Sequence, residues 1–498
     1  MKKNRISLLL CAAILALNVM SCADAADTGK TDETNAPETN AAETTAAVTE
    51  EEEKVIPYNY ELTDLGGYEF VIMNEAEVEN NWANPLIAPT ESNGDTINDA
   101  LYNRKIAVED ALNITIREEG VNGDTIASKT KKAVTAGDAA YDAVQNRNND
   151  IGALITNGYL VDLRSIDEMH FDEPWWDRIV CDNATLDGKL YFASSDISLF
   201  DIEATWIMYF NETLLSRYDI EYPYELVRDG KWTLDELYKI VKAGTNVNST
   251  EYNPNGTNIY GIVTHNQFIG ALIAGAGEKF ISVDNTGYPR SLEISDRFYS
   301  VASKIVQTTG DKHQYIDRVN QPLKNEGNTP VLEFMTGSFL FASETLGHIA
   351  KLRSFEDNFG VLPMPKYDEA QESYVSMMAT WGVLLTTVPK TNTETARTGM
   401  ILDYLAYQSY ISLMEPYYDS YLTQKGARNE DSAEMLSIIR DTRDVNLGYL
   451  FSWSNSLEEP IRTSLMNGST EIASTIAKYQ PKVQTSIDRT MNKISEND

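Results

Sequence analysis

Asp142-Ala-Val-Gln-Asn-Arg-Asn-Asn-Asp150, then Gly152, then Gly158-Tyr-Leu-Val-Asp-Leu163, is the stretch that decides the fold. Asp142 to Val144 reads as a short strand. The polar residues Asn146 to Asp150 follow it as a loop, a helix starts near Gly152, and Tyr159 to Leu163 is a second apolar run. The same alternation appears upstream. Tyr68-Glu-Phe-Val-Ile-Met73 follows Gly66-Gly67 as a buried strand, Asp95 or Thr96 caps a helix over about 97–112, and Ile114 and Ile116 alternate with polar residues. Strand, helix, strand, helix in this order predicts an α/β fold with a mostly parallel sheet. Downstream, Trp206-Ile-Met-Tyr-Phe210, Phe359-Gly-Val-Leu362 and Val383-Leu-Leu385 read as further strands. Thr233-Leu-Asp-Glu236 is a capping box, with Leu234, Leu237, Tyr238 and Val241 on one helical face. Residues 394–414 read as a helix broken by Pro416, and the chain from Asp431 on as helical, punctuated by Pro460 and Pro481. A single α/β core of this length would be unusually large, so two lobes are expected.

The N-terminus is of another kind. Lys2, Lys3 and Arg5 precede a mostly apolar run from Ile6 to Val19, shorter than the ~20 residues a bilayer needs. Val19-Met20-Ser21-Cys22 comes next and resembles the bacterial lipoprotein signal, cut before Cys22 so that its thiol carries lipid. Residues 1–21 are therefore expected to be a signal peptide. Residues 22–54, rich in Thr, Ala and Glu without one aromatic, are expected to be a disordered acidic tether, and the body is expected to run from 55 to 498.

Composition removes several classes of function. With 75 acidic against 41 basic residues the chain carries a formal charge of −34, which repels nucleic acid and anionic membranes. Only Cys11, Cys22 and Cys181 are present, too few for a disulfide framework, and the four histidines are scattered, so no metal or other cofactor is expected. Cys181 reads as a small buried hydrophobe. There is no GxSxG and no P-loop, and Gly275-Ala-Gly277 lacks the rest of a dinucleotide fingerprint. Seventy-five acids always supply some carboxylate pair, so their abundance does not indicate a glycoside hydrolase. No catalysis is expected.

Five segments in order resemble the extracellular solute-binding proteins of ABC importers, the carbohydrate-leaning family that includes maltose-binding protein. They are Asp142–Asn146 with Gly158–Leu163, the crossover Asp187-Gly-Lys-Leu-Tyr191, the strand Trp206-Ile-Met-Tyr-Phe-Asn211, the helix start Lys231–Leu237, and Phe359-Gly-Val-Leu-Pro-Met-Pro365. The resemblance covers most of residues 65–410. It implies a two-lobe type II periplasmic-binding-protein-like fold with a hinge and an interlobe ligand cleft. By its pattern the first lobe takes about 65–190 and 331–364, and the second about 200–330 and 365–498. It also implies a monomeric receptor, lipid-anchored on the extracytoplasmic face of the cell membrane, that hands a small solute to the permease subunits of an ABC importer.

For a sugar the cleft needs aromatic faces and a few hydrogen-bonding side chains. Position in the resemblance nominates Trp82 after the first strand, Asn146, Asn148, Asn149 and Asp150 after the strand at Val144, Asp196, Asp201 and Glu203 at the crossover, Glu344, and Trp381. Trp175, Trp176, Trp206 and Trp232 read as packing. Three readings stay open: a receptor for mono- or oligosaccharides, a receptor for peptides or amines on the same fold, and a surface glycoside hydrolase.

Overall fold

The strand Tyr68–Glu75 (β1) buries six consecutive residues from Phe70 on, which only a strand covered on both faces does. The structure, a computed structural model, describes residues 56–75, 83–249, 251–293, 295–325, 327–422 and 430–497. The expected signal peptide, the tether, Cys22 and Trp82 lie outside these. Helix Thr96–Leu112 follows β1, its first turn closed by the Asp95 carboxylate, which accepts from the N–H groups of Ile97 and Asn98. Ile114–Val121 (β2) then runs parallel to β1, and Ala143–Arg147 (β3) runs parallel along its other edge.

The chain next crosses to a second sheet with Trp206–Asn211 (β4) and Tyr260–Thr264 (β5). Between these two strands the hydroxyl of Thr233 caps helix Leu234–Gly244 by accepting from the N–H of Glu236. A hairpin of Ile281–Val283 (β6) and Pro289–Ser291 (β7) precedes Tyr315–Asp317 (β8), Phe339–Thr345 (β9) and Phe359–Leu362 (β10). Ser376–Met377 (β11) pairs with the late Arg443–Asp444, while Leu384–Thr387 (β12) returns to the first sheet, antiparallel to β3. The first sheet has the order β12-β3-β1-β2 and the second β10-β4-β9-β5-β8.

Three sequence expectations are corrected here. Residues 331–364, assigned above to the first lobe, supply β9 and β10 of the second sheet, and β12, assigned to the second lobe, belongs to the first sheet. Apolar runs identify a strand, but only its hydrogen-bonding partner says which sheet it joins. Residues 146–150 are not a loop: Asn146 and Arg147 pair with Leu385 and Leu384, and Asn148 opens helix Asn148–Thr156. Pro460 and Pro481 do not interrupt the C-terminal helices but lie inside Asn455–Met466 and Ala473–Glu496. Each proline forfeits one backbone hydrogen bond, and the buried faces of Leu457, Ile461 and Leu465, and of Val483, Ile487 and Met491, hold the helices together.

The C-terminal part touches both halves. Leu447–Leu450 packs on helix Asn148–Thr156, and so closely that a Cβ on Gly152 would lie 2.5 Å from the Leu450 carbonyl oxygen. Asn455–Met466 packs on helices Phe268–Gly275 and Asp296–Thr309 behind the second sheet. Cys181 is free and buried.

Candidate ligand-binding cleft

In open α/β sheets, ligands sit outside the carboxyl ends of the parallel strands. In the first sheet β1, β2 and β3 end at one edge. Because Leu384 of β12 lies opposite Arg147, the segment 379–383 emerges at that same edge. In the second sheet β5, β8 and β9 are mutually parallel and end at Thr264, Asp317 and Thr345. The two edges meet at Trp381, whose Nε1 donates to Oε1 of Gln267, just beyond β5, over 3.2 Å. The indole is 45 % exposed, rare for so large an apolar group. The segment below it is pinned to the crossover by the Ala379 N–H, which donates to the Ala204 carbonyl at 2.8 Å.

Around Trp381 lie buried polar atoms without hydrogen-bond partners among the described residues. The Asn148 amide donates to the Ala379 carbonyl at 2.8 Å, but its Oδ1 finds no donor. Oγ1 of Thr380 and Nε1 of Trp206 are likewise unpartnered, and the Trp206 ring centroid is 6.0 Å from that of His265. All three atoms lie beneath the accessible surface, where polar groups are nearly always paired.

Of the residues nominated from sequence, Trp381, Asn148, Asn149 and Glu344 come to this place. Oδ1 of Asn149 accepts from the Gly382 N–H at 3.4 Å. Asp150 stands half-buried in the first turn of the same helix; burial raises its carboxyl above the ordinary value, and Arg147 opposes this. Glu344 is buried near the end of β9. Burial pushes its carboxyl up to about 7, against the pull of Arg318 and Lys351.

The others serve the framework. Asn146 is wholly buried, and its amide donates to Oγ1 of Thr387 at 2.8 Å, joining β3 to β12. Asp196 is buried between Arg440 and Arg443. Asp201 accepts from the Ser194 hydroxyl at 2.9 Å, and burial lifts its carboxyl well above the usual range. Glu203 accepts from the Asn84 N–H. These four acids and amides share their residue types with ligand-binding groups, and only their burial against partners tells the two roles apart. Trp175 and Trp176 are packing residues whose Nε1 atoms both donate to Asp403, at 3.1 and 2.7 Å.

Sequence reasoning missed His265, Gln267, Arg318, His348, Lys351 and Thr380, and it gave Trp206 to the core alone. A usable signal was present: each of the first three follows an apolar strand within a few residues, at the edge where a parallel sheet presents its ligand. Burial first, then Arg318 and Arg462, push His265 down to about 3; burial and Lys351 do the same to His348. Both imidazoles are therefore neutral at ordinary pH.

Two α/β sheets linked by crossovers, with both sets of strand ends facing one cleft, define a two-lobe type II binding protein. The chain belongs to the bacterial extracellular solute-binding protein family, whose profile matches residues 105–408. Solved structures agree on the fold. A Rhizobium etli sugar transporter in an open conformation matches with a TM-score of 0.54 at 12 % identity, covering 86 % of this chain and 99 % of that one. The maltose-binding protein MalE of Listeria monocytogenes, in complex with maltose, matches with a TM-score of 0.53 at 14 % identity, covering 86 % and 98 %. The cyclic α-maltosyl-1,6-maltose binding protein of Arthrobacter globiformis matches with a TM-score of 0.52 at 13 % identity, covering 87 % and 99 %. Comparison with curated protein sequences returns no significant match.

Proposed function

We propose that this protein is the receptor of an ABC importer, anchored through lipid on Cys22, that captures a carbohydrate between its lobes and delivers it to the permease as a non-catalytic monomer. The observation that carries the sugar reading is Trp381, an exposed indole bridging the two strand-end edges beside the unpartnered Asn148 Oδ1, Thr380 Oγ1 and Trp206 Nε1. A sugar ring offers an apolar C–H face to such an indole. The maltose and cyclic maltosyl ligands of two fold neighbours support the same reading. Closure follows from differential affinity: a solute touching Trp381 on one edge and the Gln267 loop on the other binds the closed form more tightly and draws the population towards it.

A thermal-shift panel of glycans, with peptides and polyamines alongside, tests this. A ligand at about 1,000 times its Kd adds about 4 kcal/mol of stability. Trp381→Ala removes the stacking face and is expected to weaken the sugar about 5- to 30-fold, at ~1–2 kcal/mol for an aromatic contact, while leaving the ligand-free melting temperature nearly unchanged. A rise with peptides or amines and none with any glycan refutes the carbohydrate reading.

A further inference from the structure

The second-sheet edge of the cleft holds charges that a neutral sugar does not require. β5 pairs Thr264 with Asp317 of β8 and Val263 with Ala342 of β9. The ladder runs on by one step, since the Arg318 N–H donates to the Thr264 carbonyl at 3.1 Å and the Thr264 hydroxyl donates to the Ser343 carbonyl at 3.0 Å. Glu344, His265 and Arg318 consequently form one row across three adjacent strand ends, two residues from Gln267 and its bond to Trp381. His348 and Lys351 lie on the short helical stretch Leu346–Ser354 that leaves β9, with Nδ1 of His348 3.0 Å from Oγ1 of Thr345.

In a chain where acids outnumber bases by nearly two to one, the expected state of an arginine is an ion pair. Arg147, Arg228, Arg297 and Arg443 all have theirs. Arg318 and Lys351 are only half-buried, yet neither has a carboxylate within 4.0 Å among the described residues. The single carboxylate of the row, Glu344, faces both cations, and the two histidines are neutral, so the row carries a net positive charge. Arg462, also near His265, is engaged with Glu459 at 3.6 Å.

We infer, resting on the carbohydrate reading above, that the ligand is an acidic sugar whose anionic oxygens are held by Arg318 and Lys351. Arg318 offers a planar fork suited to a carboxylate or sulfate, and Lys351 a point charge beside it. Against a chain of −34, this local positive charge gives the discrimination: a neutral sugar leaves two cations half-desolvated and unpaired when the lobes close, and an acidic one pairs them.

The test is calorimetry on the purified protein with three sets of oligosaccharides of equal length: uronate oligomers (galacturonate, glucuronate, mannuronate), sulfated galactose oligomers, and their neutral counterparts. Uronates or sulfated sugars are expected to bind about 10- to 100-fold more tightly than neutral ones, as charged hydrogen bonds imply, and the two anionic sets separate carboxylate from sulfate. Arg318→Ala should cut that preference by about tenfold, and Arg318→Lys should restore part of it, since Lys keeps the charge without the fork. Among the described residues the Arg318 side chain has no ion pair to lose, and Lys351→Ala gives an independent second reading at the same group. Neutral sugars bound as tightly as acidic ones, with no effect of either variant, overturn the inference and leave the carbohydrate receptor standing. Failure of all three sets to bind overturns both.

Discussion

Asp196→Asn separates a framework role from a ligand role. In the structure Oδ1 of Asp196 accepts from Nη2 of Arg443 at 3.2 Å and Oδ2 accepts from Arg440. Arg443 also donates to Asp177 at 2.5 Å, and both Arg443 and Asp196 are almost wholly buried. Burial alone would raise the Asp196 carboxyl, but Arg440 and Arg443 outweigh it and hold the group below its usual range. Asp196 is the carboxylate that both guanidiniums share, while Arg443 has a second partner in Asp177. Removing one partner of a buried pair costs about 3–5 kcal/mol, because the other charge stays buried. The unfolding entropy of a body spanning 55–498 is about 0.9 kcal/mol/K, so the melting temperature should fall by about 3–5 °C. A carboxylate with a depressed folded pKa stabilises above its unfolded value, near 3.9, and that stabilisation is lost as pH falls through the folded value. The deficit of Asp196→Asn should therefore be complete at pH 7 and shrink in acid below about pH 4. Asp201→Asn is the contrast: burial disfavours its charged form, so the isosteric amide should cost less there than at Asp196. Urea denaturation at pH 7 and pH 3, with ligand calorimetry on the pH 7 samples, reads all of this. An Asp196→Asn protein of unchanged midpoint that has lost its ligand would refute the framework argument and restore the ligand contact expected from sequence.

Two further outcomes are expected. Burial raises Glu344 from 4.5 to about 7, so the folded chain holds a proton there that the unfolded chain has released between those values, and stability falls as pH rises across that window. At 1.36 kcal/mol per pH unit, ligand-free Glu344→Gln should be up to about 3 kcal/mol more stable than the parent at pH 8 and equal to it at pH 4; a difference independent of pH would contradict this. Cys22→Ser should release the protein from the membrane fraction of expressing bacteria and abolish incorporation of labelled fatty acid, and continued labelling would place the anchor elsewhere.

The elements themselves were legible because their signals are local. Six buried residues in a row at Phe70–Glu75, the Asp95 cap and the Thr233–Glu236 box act within a few residues of chain, and each appears where the periodicity places it. The order of these elements, together with the family resemblance, was enough for a two-lobe α/β binding protein.

What sequence could not supply is which distant segments meet. Nothing in Phe339–Thr345 or Leu384–Thr387 says that one joins the second sheet and the other the first, since a strand's face is set by its own residues and its neighbour by register across 139 residues for Trp206 with Thr345 and 237 for Arg147 with Leu384. The same limit governs the site. Asp196 and Glu344 look alike in sequence, as acids beside apolar runs. The fold buries one between two arginines contributed by the C-terminal part and sets the other in a row with His265 and Arg318 at the strand ends. Sequence by itself determined the α/β elements, because propensity, capping and apolar period are short-range, and its resemblance to the solute-binding family implied the class of protein. Tertiary structure decided which polar residues are structural and which face the cleft, because charge and burial act between groups that only folding brings together.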